Sequence, residues 1–213
     1  MTATPDAILV FVRAPEAGRV KSRLAAQIGD GAALRVYRRL AEHAVAEARA
    51  LGAAVSLRIH YTPADRGGEV RAWLGSTAEY LPQVDAELGA RMAAAFEAAF
   101  AAGHRRVVII GSDLPELSAD VLRRAFGLLD SSPVVLGPAA DGGYYLLGLR
   151  GMVPGVFDGV PWSTARVLEA TVARLRAAGC EPAMLETMRD VDEAADLPAG
   201  WREWARGDVE AAA

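Results

Sequence analysis

The chain has 213 residues, 52% of them hydrophobic and 23% charged, with a formal net charge of −4. This length and composition fit one globular α/β domain over residues 1–213, and the acidic balance argues against general nucleic-acid binding. A single cysteine, Cys180, excludes an internal disulfide and a cysteine-based zinc cluster, and His43, His60 and His104 show no metal-ligand spacing.

The first element is a buried strand over Ala7 to Arg13 (AILVFVR). Its apolar run, Ala7 to Val12, is too short for a signal peptide or a membrane span, so the expectation is a cytoplasmic protein. Pro15 and Gly18 make the next segment a loop, and Val20 to Gln27 can start a helix. Loop amides and a helix N-terminus attract phosphate, and Arg13, Arg19, Lys21 and Arg23 add charge. The alternative is an ordinary solvated turn. The loop is not a Walker A sequence, because its first glycine is missing, and Gly29-Asp30-Gly31 is not a dinucleotide fingerprint. Of the 23 basic residues, 22 are arginine, and Lys21 is the exception. A lone lysine can fall there by chance. Its position in this loop favours a role for a compact, flexible charge.

Gly31 to Leu51 reads as an amphipathic helix with Tyr37 on its apolar face. Ala54 to Tyr61 alternates, which predicts a half-buried strand with His60 on the polar side. A short helix from Gly67 to Leu74, a strand from Glu79 to Gln83 and a helix from Leu88 to Ala102 follow. Gln83, Gly89 and Arg91 fall near the carboxyl end of that strand.

The central strand is Val107 to Ile110, a continuous β-branched run suited to burial on both faces of a parallel sheet. Asp113 lies just past its tip, where open α/β sheets bind ligands, and a carboxylate there is placed to hold a divalent cation. Ser118 is the expected cap of the next helix, to Leu129, which weakens the capping explanation for Asp113.

Pro133 to Gly137 and Tyr144 to Leu149 are strands joined by a short loop containing Asp141, Gly142 and Gly143. They read as antiparallel neighbours, so the sheet is mixed. Asp141 is either a turn residue or part of a site where the two glycines let a substrate approach the backbone. Trp162 is a core lid or a stacking surface, and Ser163 or Thr164 can cap the helix from Ala165 to Ala178. Pro182 to Leu185 is a last strand. Asp190 and Asp192 then either complete a metal site or cap the short acidic helix to Leu197, and residues 199–213 read as a peripheral C-terminal helix that frays. No G-x-S-x-G elbow or H-E-x-x-H occurs, so hydrolase triads and zinc proteases lack support.

Taken together, R-x-P-x-x-G-x-V-K-x-R-L (Arg13 to Leu24), Q-x(4)-L-G-x-R-M (Gln83 to Met92), G-S-D-L-P (Gly111 to Pro115), D-G-G-Y-Y-L (Asp141 to Leu146), W-S-T (Trp162 to Thr164) and D-V-D-x-x-x-D-L (Asp190 to Leu197) resemble small bacterial glycosyltransferase-like proteins of the GT-A fold. That group is related to the guanylyltransferases of deazaflavin and molybdenum cofactor synthesis. The resemblance implies a three-layer α/β/α architecture with a mixed, mostly parallel central sheet, the nucleotide-diphospho-sugar transferase fold. It implies that Asp113 binds Mg²⁺ or Mn²⁺, that Asp192 with Asp190 shares the ion, and that Arg13, Gly18, Lys21 and Arg23 carry nucleotide phosphates. Gln83 and Arg91 would lie on the nucleotide side, with Asp141, Gly142, Gly143, Tyr144, Trp162 and Ser163 towards the acceptor. The implied partners are a nucleotide sugar or NTP and a small acceptor, with Lys21, Asp113 and Asp141 as the catalytic candidates. A full D-x-D is absent, since Gly111 stands where its first Asp would fall.

Two functional readings follow: glycosyl transfer from a nucleotide sugar, and nucleotidyl transfer from an NTP with release of pyrophosphate. A nucleotide-binding module without turnover is a third. The sequence leaves the oligomeric state open.

Overall fold

A computed structural model describes residues 6–207. Among them, one sheet is formed by β1 (Asp6–Arg13), β2 (Val55–Thr62), β3 (Glu79–Pro82), β4 (Arg106–Ile110), β5 (Val134–Pro138), β6 (Tyr144–Leu149) and β7 (Ala183–Met184). The strand order is β3-β2-β1-β4-β6-β5-β7. β6 runs against both β4 and β5, and the other pairings are parallel. The mixed, mostly parallel sheet is as the sequence suggests.

The central strands are apolar on both faces because both faces are covered. Along β1, Ile8, Val10 and Val12 enter one hydrophobic cluster while Ala7 and Leu9 enter another. β4 divides likewise, Val108 and Ile110 on one side, Val107 and Ile109 on the other. Burying each of the Val, Leu and Ile side chains contributes about 1.5–3 kcal/mol relative to exposure. One face is covered by α2 (Asp30–Arg49), α3 (Gly67–Leu74) and α5 (Ala119–Leu128), and the other by α4 (Leu88–Ala101) and α6 (Val167–Ala177). These are the three layers.

β2 departs from the half-buried reading. Arg58 and His60 are both buried, because β2 is an interior strand covered on both sides. Arg58 reaches the edge to pair with Glu79 at 2.6 Å, and His60 stacks on Phe11 with ring centroids 5.5 Å apart. Burial, with Arg58 adding to it, lowers the His60 pKa to about 4, so the imidazole is neutral.

A separate apolar cluster ties the chain's end to its beginning. Leu24 of α1 (Ser22–Ile28), Val36 and Leu40 of α2, Val191, and Ala205 of α7 (Trp201–Arg206) pack together. The Arg39 guanidinium lies over the rings of Trp201 and Trp204, 4.5 and 4.6 Å from their centroids. The peripheral helix is thus docked through Arg206; the rest of the expected helix, residues 208–213, lies outside the described residues. Among the described residues, no helix is long and apolar enough to cross a membrane.

Candidate active site

The C-terminal ends of β1 and β4 open into a cleft of about 550 Å³. Arg13, Lys21, Arg23, Gln83, Arg91, Asp113 and Asp192 line it. These sequence candidates, drawn from four distant segments, are therefore brought together.

Lys21 is the hinge of the arrangement. It caps α1 in a left-handed backbone conformation, φ 49° and ψ 49°, uncommon for a residue with a Cβ. Its side chain is only 5% exposed, and Nζ lies 2.9 Å from Asp113 Oδ1 and 3.2 Å from Asp192 Oδ1. Burial pulls its pKa down; the two carboxylates, Asp113 first, outweigh this and hold it above the ordinary lysine value. The approach to Asp113 Oδ1 is an ion-pair contact without a well-formed hydrogen bond, and that oxygen is buried. The Asp113 side chain is nevertheless 41% exposed, so its outer oxygen faces the cleft.

Two local devices fix the acids. The Val191 amide donates to the Asp113 carbonyl at 3.0 Å, and the Val191 side chain is fully buried. With Val191 turned inward, Asp192 is held across Lys21 from Asp113, whereas Asp190 does not line the cleft. Capping of the short helical turn Ala194–Asp196 falls to Glu193 and Asp196, whose side chains form a capping box. Asp196 Oδ2 also accepts from the amide of Asp192 at 3.2 Å. Asp190 and Asp192 therefore carry no capping duty. The Asp190 pKa is raised by burial and by the nearby charge of Asp141.

Tyr37 is buried, as its helix pattern suggests, but it also serves the site. Its hydroxyl accepts from the Arg13 amide at 2.7 Å and donates to the Arg13 carbonyl at 2.8 Å, clamping the tip of β1. Gln83 donates through Nε2 to the His60 carbonyl at 2.8 Å, which fixes the opposite wall. Arg19 lines the cleft as well. Periodicity shows Tyr37 only as a core residue, since a clamp on a backbone residue distant in sequence leaves no local pattern.

Other candidates do not line the cleft. Gly18 is spent on a left-handed turn at φ 75°. Gly142, at φ 90°, packs against the Ala165 carbonyl, where a Cβ would come within 2.1 Å. The close approach this glycine admits is that of the protein's own backbone. Asp141 Oδ1 accepts from the Gly143 amide at 2.8 Å, a turn contact. Tyr144 is half-buried against Met92, and Trp162 lies on Gly89 and beside Phe157, packed against the hydrophobic cluster on that face of the sheet. Ser163 is exposed at φ 62°, and Thr164 makes the local hydrogen bonds, to Pro161 and Arg166. Among the described residues, no group of three His, Cys, Asp or Glu side chains is disposed to hold a metal ion.

A sheet of this order with a basic loop and acids beyond β1 and β4 defines the nucleotide-diphospho-sugar transferase fold. A candidate nucleotide-diphospho-sugar transferase from Desulfovibrio desulfuricans G20 is 34% identical, with 96% of this chain and 94% of that one covered and a TM-score of 0.85. Residues 44–164 match the model of a family described as uncharacterized proteins conserved in bacteria, DUF2064, and the chain belongs to that family. The fold is shared more distantly by CMP:2-keto-3-deoxy-manno-octonic acid synthetase complexed with CTP, at 15% identity, 96% and 100% coverage and a TM-score of 0.60. It is also shared by glucosyl-3-phosphoglycerate synthase from Mycobacterium tuberculosis in complex with Mn²⁺, UDP and glucosyl-3-phosphoglycerate, at 12% identity, 93% and 76% coverage and a TM-score of 0.55. No curated protein matches the sequence.

Proposed function

We propose that the protein is a divalent-cation-dependent transferase that uses an activated nucleotide, with glycosyl transfer from a nucleotide sugar to a small acceptor as its reaction. The observation that carries this reading is the cleft in which Arg19, Lys21 and Arg23 face Asp113 and Asp192. Such a mixed set suits a diphosphate together with a cation. The 34% identical relative, described as a candidate nucleotide-diphospho-sugar transferase, supports glycosyl transfer.

The residues fit Mg²⁺ or Mn²⁺. The donors are all carboxylate oxygens, and Asp113 Oδ1 is buried without a well-formed hydrogen bond. Mg²⁺ commonly takes one or two protein carboxylates and completes its shell with substrate phosphate and water, so a three-residue cluster is not required. Asp113 and Asp192 would hold the ion, with Asp190 beside them. Bound there, it would supply positive charge against the negative charge that builds on a leaving phosphate. The chain's own contribution is fixed charge from Lys21, Arg19 and Arg23, and a wall held in place by Tyr37 and Gln83. Asp141 stands towards the acceptor in this reading, through its charge on Asp190.

Nucleotidyl transfer is the second reading, favoured by the buried Lys21 and by the number of cations on one loop, enough for a triphosphate. The test is a thermal-shift screen of nucleotides and nucleotide sugars with Mn²⁺, followed by product analysis of the hits. Free nucleoside diphosphate supports glycosyl transfer and pyrophosphate supports nucleotidyl transfer. The absence of any Mn²⁺-dependent shift across the screen would refute both.

A further inference from the structure

The two acids proposed to hold a cation already share one that belongs to the protein. The Lys21 ammonium stands between Asp113 Oδ1 and Asp192 Oδ1 at 2.9 and 3.2 Å, with its side chain almost wholly buried. A divalent ion shared by these same oxygens and the ammonium cannot both occupy that space.

We propose that Lys21 is a displaceable counter-ion, which neutralises Asp113 and Asp192 in the nucleotide-free protein and turns to the nucleotide phosphates when the divalent ion loads. The inference rests on the reading of the cleft given above. Three observations carry it. The contact with Asp113 lacks good hydrogen-bond geometry, and the single hydrogen bond the ammonium donates to this acid pair goes to Asp192 Oδ1 at 3.2 Å, so few directed bonds have to break for it to turn away. Its backbone sits in the left-handed region, at φ 49°, a conformation disfavoured for a residue with a Cβ. Arg19 and Arg23 line the same cleft, so a phosphate drawn there lies within the lysine's reach.

The consequence is coupling. A divalent ion alone competes with the ammonium, whereas an ion arriving with phosphate offers the ammonium a new partner. Each ligand therefore raises the affinity for the other, by the same factor.

The test uses Mn²⁺ as the probe, its free concentration read by electron paramagnetic resonance. The folded wild-type protein is compared with Lys21→Gln and Lys21→Arg. Lys21→Gln should bind Mn²⁺ alone about tenfold more tightly or better, the Coulomb equivalent of a unit charge at about 3 Å even in bulk water. Lys21→Arg, which keeps the charge, should stay near wild type. Inorganic pyrophosphate, corrected for its own binding of Mn²⁺, should raise affinity more in wild type than in Lys21→Gln. Equal Mn²⁺ affinity in wild type and Lys21→Gln overturns the displacement and leaves the cation site standing. No Mn²⁺ binding to either protein, with or without pyrophosphate, overturns both. A measurement on the unaltered chain guards against a misfolded variant. Lys21 is the single lysine, so ¹³C-lysine labelling gives one side-chain signal. Mg²⁺ with pyrophosphate should move that signal, and an unmoved signal at saturation overturns the inference.

Discussion

If Lys21 and Asp113 act as one unit, their substitutions must fail to add. The perturbation is a double-mutant cycle of Lys21→Met and Asp113→Asn, in which the backbone strain at position 21 cancels. At 2.9 Å two unit charges attract by roughly 6 kcal/mol at an effective dielectric of 20 and by about 1.4 kcal/mol in bulk water. Lys21 is buried but Asp113 is 41% exposed, so solvent screening moves the value towards the lower bound, to about 2 kcal/mol. Asp192 stays in contact with the ammonium in Asp113→Asn and softens the single substitution without abolishing the coupling. The assay is urea denaturation at pH 7 with all four proteins, each checked for two-state behaviour. Additivity within about 0.3 kcal/mol, the scatter expected of independent sites, would refute the reasoning.

Three further outcomes are expected. Tyr37→Phe removes the hydroxyl that both accepts from and donates to Arg13; it should cost about 2 kcal/mol in urea denaturation, and a loss below about 0.5 kcal/mol would count against the clamp. The His60 pKa is lowered to about 4 from 6.5, so its contribution is fully present above the unfolded value and lost as pH falls from about 6.5 to 4. That loss amounts to about 3 kcal/mol; His60→Gln should flatten this part of the stability profile, and an unchanged slope would assign it to other groups. Gly142→Ala forces a Cβ to within 2.1 Å of the Ala165 carbonyl at a φ of 90°; melting should fall by several degrees, and a wild-type melting temperature would mean that the loop relaxes freely.

The strands were legible because both faces of the sheet are covered, and Val107 to Ile110 states that directly as an unbroken β-branched run. The reversed direction of β6 was legible from the short loop before it. The convergence of Asp113 with Asp192 came from a family resemblance, not from spacing, since the two lie far apart in the chain. What ties them is a backbone hydrogen bond from Val191, and backbone donors carry no residue-specific signature. The close approach expected at the Asp141 loop has a related explanation. A glycine reports that something approaches closely, and at Gly142 that something is Ala165. His60 looked solvent-facing by alternation, and only the strand order reveals that β2 lies inside the sheet.

The two ends of the sheet have a consequence for the molecule among its neighbours. One margin is a four-residue strand carrying Glu79 and Pro82, and the other is the two-residue β7. Exposed rows of unpaired amides and carbonyls are templates for strand addition, and margins this short, one of them broken by a proline, offer a newcomer few hydrogen bonds. Association by growing the sheet outward is thereby disfavoured, and a lengthened β7 would be the change most apt to provoke aggregation.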